Sequence, residues 1–412
     1  MKYFSYIINS LFFLLSILIP KKKNLIIFGC RTGRRYADNS RYLFLYLNKF
    51  YKKKFNCVWI TREKKVLNII RKQGFKCYYI NSLKGCLLSL IANWTIFDTS
   101  PLDVNSFLSK FSKNIHLWHG ILIKRISAKK YKNVYNFKIY KILNRLTSFF
   151  YPKYFCYPNY KFSYQIIDHY PINMYKLLLS NQPRNIMLLN SINNEELNIF
   201  RTKKEQNLYN KIKKTKKKII GYFPTWRNDN ENELFPGLKN LDQLKKLNNI
   251  LKKNNYLLLI KKHSNSYKQD KHRLYNYSPE MSKVWKNISK YKNFLSIDYD
   301  IDLNSILSNC DILISDYSGV IMDFLLLDKP IFLYTPDIKK YKKKTGLLFD
   351  YNKIKIGPII NNYPQLLKTT ALYLKNTEHS DKKYRKKRNI FKNQIFKTDE
   401  PFKNIIKVLS TN

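Results

Sequence analysis

The sequence predicts an α/β protein of two Rossmann-like domains facing a cleft, preceded by a hydrophobic helix. Three observations predict it. Beyond Lys23, short apolar runs alternate with amphipathic helical stretches, the pattern of parallel sheets covered on both faces. That alternation occurs twice, on either side of a polar stretch at 193–218. The length of 412 residues suits two domains at about 100–200 residues each. The division read from this is a hydrophobic segment at 1–23, a first domain at 24–192, a polar and basic linker at 193–218, and a second domain with terminal helices at 219–412.

Residues 3–20 carry no charge and end against Lys21, Lys22 and Lys23, which puts them at the lower edge of a membrane span. Ser5, Asn9 and Ser16 fall on one narrow helical stripe, so an in-plane amphipathic helix competes with a true span, and a helix docked on the folded domain with both. No small-residue cleavage site follows, which argues against a signal peptide. If the segment inserts, the lysines face the cytoplasm. Strands are then expected at 24–29, 55–60, 76–80, 94–98, 115–119 and 153–157, with helices such as 41–50 and 64–73 between them. The second series places strands at 219–223, 256–261, 294–297, 311–315 and 330–334, with helices at 238–253 and 318–327. From 365 onward the chain reads as helices separated by a charged segment at 380–388.

Composition limits the partners. There are 77 Lys and Arg against 27 Asp and Glu, a formal charge of +50, and 44% of residues are hydrophobic. That apolar content excludes a disordered basic tail. The charge points to nucleic acid, an acidic membrane surface or phosphorylated substrates. The basic runs at 21–23, 52–54, 211–218, 342–344 and 382–388 are scattered and come with no nucleic-acid-binding signature. Abundant Lys, Asn, Ile, Tyr and Phe all have AT-rich codons, so part of the excess is explained by codon usage. The six cysteines show no CxxC or His-rich spacing, and buried thiols are expected rather than a zinc or redox site.

Ligands of open parallel sheets sit beyond the carboxyl ends of the strands, and that is where the informative residues fall. Asp316-Tyr317-Ser318-Gly319, with Asp323 beyond, makes a polar turn between an apolar strand and an apolar helix. Its backbone N–H groups, the Ser318 hydroxyl and the open approach at Gly319 suit a phosphate, while Asp316 either caps the helix or orients a bound hydroxyl. Trp118-His119-Gly120 with Lys124 delivers His119 to a strand end, as a general base or as a structural histidine, and leaves His116 in the core. Lys261-Lys262-His263 is a diphosphate clamp or a solvated charge run. Pro224-Thr225-Trp226-Arg227 offers a guanidinium for bidentate phosphate contact. Gly29-Cys30-Arg31-Thr32-Gly33 resembles a phosphate loop only loosely.

In order along the chain, these segments resemble the CDP-glycerol glycerophosphotransferase family of teichoic acid and capsule synthesis, over roughly 29–350. Gly33, Tyr36, Asp38 and Asn39 look like its first motif, assigned to the acceptor side or its loop together with Lys124. Trp118-His119-Gly120 with Lys124 resembles its WHG element, Pro224-Thr225-Trp226-Arg227 its PTWR element, and Asp316-Tyr317-Ser318 with Asp323-Phe324 its DYS and DF pair. Pro183-Arg184-Asn185 matches a PRN core and Gly357-Pro358 a late GP. The departures are Ser264 after His263 where Pro is usual, Asn181 for a Gly, Ile186 for an Asp and Gly319 for a second Ser.

The resemblance implies a GT-B-like arrangement and an enzyme at the cytoplasmic face of the membrane. The enzyme would transfer glycerol phosphate or a related alditol phosphate from a CDP-alditol such as CDP-glycerol or CDP-ribitol to a hydroxyl of a lipid-linked acceptor, releasing CMP. In that chemistry His119 takes the acceptor proton, while His263, Arg227 and the Ser318 turn hold the diphosphate; Asp323 or Asp316 contacts the ribose. The CDP-alditol is a substrate, so no cofactor is expected. No acidic cluster suited to Mg²⁺ accompanies the turn, so no bound metal is expected either. A GT-B glycosyltransferase using a sugar nucleotide is the alternative. A basic nucleic-acid-binding protein leaves the His and DYS turns unexplained.

Overall fold

The computed structural model of the protein describes residues 19–124, 153–162, 175–189, 193, 195–225, 235–261, 287–288, 290–298, 300–397 and 400–411. Thirteen strands are described in order: β1 Lys22–Phe28, β2 Asn56–Thr61, β3 Cys77–Tyr79, β4 Ala92–Phe97, β5 Lys113–His116, β6 Lys153–Tyr157, β7 Tyr175–Leu179, β8 Lys218–Tyr222, β9 Tyr256–Ile260, β10 Phe294–Ser296, β11 Ile312–Ser315, β12 Ile331–Tyr334 and β13 Ile359–Ile360. They form two sheets, one of seven strands in the order β3-β2-β1-β4-β5-β6-β7 and one of six in the order β10-β9-β8-β11-β12-β13. Every pairing within both sheets is parallel. In each sheet the chain winds outward one way and then returns to the middle, which opens a crevice between β1 and β4 and another between β8 and β11.

The runs that read as continuous apolar strands are central and covered on both faces. Leu25 to Phe28, Ile312 to Ser315 and Ile331 to Tyr334 are all buried. Helices begin where the sequence supplies a cap. Ser82 accepts from the Gly85 N–H, and Asn240 from that of Gln243. Thr202 and Glu205 cap reciprocally the helix Lys203–Lys214.

Four features differ from the sequence expectation. The short strands β7 and β13 stand beyond the expected ones and carry no strong sequence pattern. Strand β5 stops at His116, three residues before His119. The charged stretch at 380–388 lies inside one helix, Thr377–Ile395, because its only deeply buried cation, Arg388, is neutralised by Asp381 at 2.6 Å and Asp328 at 3.3 Å. The helix Lys403–Ser410 packs with the first sheet rather than the second: Phe402, Ile405 and Leu409 join the core of Phe28, Phe44 and Trp59, and the Tyr46 and Phe402 rings stack at 3.9 Å. The expected hydrophobic helix, apart from Ile19 and Pro20, lies outside the described residues; among those described, no helix is long and apolar enough to cross a membrane.

The stretch at 195–218 forms a bracket. Its Glu205 receives both guanidinium nitrogens of Arg41 at 2.9 and 2.5 Å, and accepts the Asp302 N–H at 2.8 Å. It thereby ties the helix Asp38–Phe50 to the loop after β10. The two sheets share one apolar core in which Trp118, Ile121 and Phe155 meet Leu259, Leu313 and Ile321.

Candidate functional site

The strand ends of both sheets converge on a cavity of about 370 Å³. From the first sheet it is lined by Arg31, Arg35 and Asp38 after β1, by His119, Gly120 and Lys124 after β5, and by Arg184 from the 3₁₀ turn Pro183–Met187. From the second it receives Thr225 after β8, Lys261 after β9, Asp302 and Asn304 after β10, and Tyr317, Ser318, Gly319 and Asp323 after β11. Five cations and three carboxylates therefore face one space.

His119 is held by its backbone. Trp118 at φ +61° and Gly120 at φ +133° turn the chain sharply after β5. The Trp118 carbonyl accepts from Asn39 Nδ2 at 2.8 Å, and the His119 carbonyl from Arg184 Nη1 at 3.1 Å. The imidazole lies against the Trp118 ring, centroids 4.2 Å apart, and its Nδ1 has no hydrogen-bond partner among the described residues. Burial and the cations Arg31 and Arg184 push its pKa down to about 3, against the opposing pull of Asp38. The ring is neutral at physiological pH, and its Nδ1 is buried. His116 instead sits inside the sheet, its Nε2 on the Asp98 carbonyl at 3.0 Å.

The carboxylates are strongly differentiated. Burial would raise Asp38, but Arg184 at 2.7 Å and Arg31 at 2.9 Å hold it well below the usual range. Asp323 is pushed by burial up to about 6 despite Arg184 at 2.8 Å, and its Oδ1 has no partner among the described residues. Burial, with Arg35 nearby, lowers Lys261 to about 8.

Of the expected site residues, His119, Lys124, Asp38, Tyr317, Ser318, Gly319 and Asp323 line the cavity. Others stand behind its wall. Asp316 is buried, and its Oδ1 accepts the Thr225 and Tyr317 N–H groups at 2.8 and 2.7 Å, bracketing the loops after β8 and β11. Asn39 braces the His119 turn, and Tyr36 packs edge-on against Trp59 with centroids 5.0 Å apart. The Gly33 carbonyl accepts from the Arg62 N–H at 2.7 Å, inside the loop that carries Arg31. Arg227 and His263 lie outside the described residues; Thr225 and Lys261, two positions before each, line the cavity. Arg31, Arg35, Arg184, Asp302 and Asn304 line the cavity in addition to the residues expected from the sequence. The first two follow β1 at the sheet's crevice, where position alone marks them. Arg184 was visible in the PRN core.

Known proteins share this architecture. A solved structure of the wall teichoic acid polymerase TagF superposes with a TM-score of 0.73 at 22% identity, covering 97% of this chain and 92% of that one, and so shares the fold. A teichoic acid poly(glycerol phosphate) polymerase of Bacillus spizizenii is 28% identical over 419 residues, 95% of this chain and 92% of that protein. The corresponding polymerase of Staphylococcus epidermidis is 27% identical over 389 residues, and there the match covers 92% of this chain but 49% of the relative. The sequence profile of CDP-glycerol:poly(glycerophosphate) glycerophosphotransferases matches residues 11–401. The chain belongs to this family of transferases.

Proposed function

We propose that the protein transfers glycerol phosphate, or a related alditol phosphate, from a CDP-alditol to a hydroxyl of a membrane-linked acceptor in teichoic acid or capsular polymer synthesis, releasing CMP. The observation that carries this reading is a neutral imidazole with an unpartnered nitrogen, set among five cations where the strand ends of two sheets meet. The acceptor oxygen attacks the donor's β-phosphorus, the bond from that phosphorus to the bridging oxygen breaks, and CMP departs with the bridging oxygen. His119 takes the acceptor proton. Arg31, Arg35, Lys124 and Lys261, with the Ser318 turn, offset the charge spread over the phosphoryl oxygens. The donor's own charge raises the His119 pKa toward neutrality, so the base strengthens when substrate arrives.

Work at a membrane surface is part of the proposal. The uncharged segment at 3–20 favours the apolar part of a bilayer, and the scattered lysine runs favour an acidic leaflet, each cation near the surface contributing about 1 kcal/mol.

The test is to incubate the protein with a short lipid-linked acceptor and either CDP-glycerol, CDP-ribitol or a panel of UDP- and CMP-sugars. The expected result is CMP release and acceptor growth by alditol phosphate units, seen by mass analysis. UDP release from a sugar donor, with no CMP from either CDP-alditol, would overturn the reading.

A further inference from the structure

We infer that Arg184 is a positioning residue: its guanidinium fork clasps the two halves of the cleft and holds the His119 turn in its working geometry. The inference rests on the transfer reading above. Arg184 Nη1 donates to Asp38 Oδ1 at 2.7 Å and to the His119 carbonyl at 3.1 Å, both in the first half. Nη2 donates to Asp323 Oδ2 at 2.8 Å, in the second half. The backbone of Arg184 is fixed as well, its N–H on Asn39 Oδ1 at 3.1 Å, and the same Asn39 holds the Trp118 carbonyl. One buried side chain therefore touches the helix that follows β1, the turn that carries His119, and the helix Val320–Phe324 that follows β11.

Two details show that the surroundings are shaped to this guanidinium. A Cβ on Gly120 would stand 2.9 Å from Arg184 Nη2, so the glycine beside His119 leaves the space the fork occupies. A second link across the cleft runs in parallel, from the Asp38 N–H to Asp302 Oδ2 at 2.9 Å, which places Asp38 at the junction of both. An ammonium is a compact point charge on a flexible stem, whereas the planar fork holds two carboxylates and a carbonyl in one fixed geometry. Displacement of a reacting group by about 1 Å costs on the order of 10²-fold in rate, which is the scale of effect expected from losing the clasp.

The experiment compares the full chain as wild type, Arg184→Lys and Arg184→Met. It measures kcat for CMP release from CDP-glycerol, Kd for CDP-glycerol by calorimetry, and titration of the His119 ring by NMR of histidine-labelled protein. Loss of one signal in His119→Gln assigns that ring. The titratable groups facing His119 are Arg31 and Asp38 from the segment after β1, Arg184, and His116 at the end of β5. Kcat is expected to fall about 10²-fold in both variants with Kd changed less than about threefold, because placement and not donor affinity is lost. The His119 midpoint is expected to rise in Arg184→Met, which removes a facing cation. Arg184→Lys keeps the buried charge and carries the kinetic test if the Met variant does not fold. Wild-type kcat in Arg184→Lys overturns the clasp, as does a large rise in Kd at unchanged kcat, which would make Arg184 a donor ligand. An unmoved His119 midpoint in Arg184→Met overturns it too. If wild type releases no CMP from CDP-glycerol or from CDP-ribitol, the transfer reading falls, and the titration alone decides the role of Arg184.

Discussion

His119 carries the sharpest consequences of any single residue. Replacing it with Ala removes the base and is expected to lower kcat by about 10²-fold or more, with an unchanged circular dichroism spectrum. Its depressed pKa also affects stability. Between the unfolded value of 6.5 and the folded value of about 3, the unfolded chain binds a proton that the folded chain refuses. Stability therefore rises with pH across that window, by at most about 1.4 kcal/mol per pH unit from this group. Asp323 works in the opposite sense between 3.8 and about 6, because there the folded chain holds the extra proton. The two slopes offset in the wild type at about pH 4 to 6. His119→Gln is expected to gain stability relative to wild type as pH falls from 6.5 to 4, measured by urea unfolding at each pH; a constant difference would remove the depressed pKa assigned here.

At the scale of elements, the loops are fastened more firmly than their lengths suggest. Glu205 neutralises Arg41 and caps the helix Lys203–Lys214, with both partners about 1% exposed. Glu205→Ala strands a buried guanidinium and is expected to cost about 3–5 kcal/mol, read as a large fall in Tm. Gly120→Ala meets a positive φ and the Arg184 fork together; a loss of about 1–3 kcal/mol and reduced turnover are expected. Much of this level was legible. Runs such as Leu25-Ile26-Ile27-Phe28 were identified as strands because buried parallel strands are uniformly apolar. The pair Ile359–Ile360 is not legible in this way, since two residues carry no period, and β5 ends before its apolar run does because Leu117 and Trp118 continue that run into an irregular turn.

For the whole molecule, the central matter is how the two sheets meet and where they work. Removing residues 2–20 is expected to shift the protein from the pellet to the supernatant in sedimentation with acidic phospholipid vesicles. Retained binding that weakens steeply with salt would instead assign attachment to the lysine runs. The sequence by itself determined the two series of parallel strands, the position of His119 and of the Ser318 turn in segments that follow strands, and the basic excess. These follow from local periodicity, turn chemistry and composition. Only the tertiary structure decided that Asp316, Asn39 and Tyr36 brace the site from behind while Arg31, Arg35 and Arg184 face it. It also decided that the last helix returns to the first sheet. Which side of a wall a polar residue faces, and which distant carboxylate it meets, depends on contacts more than a hundred residues apart, such as Arg184 with Asp38 and Asp323. No local pattern in the chain encodes them.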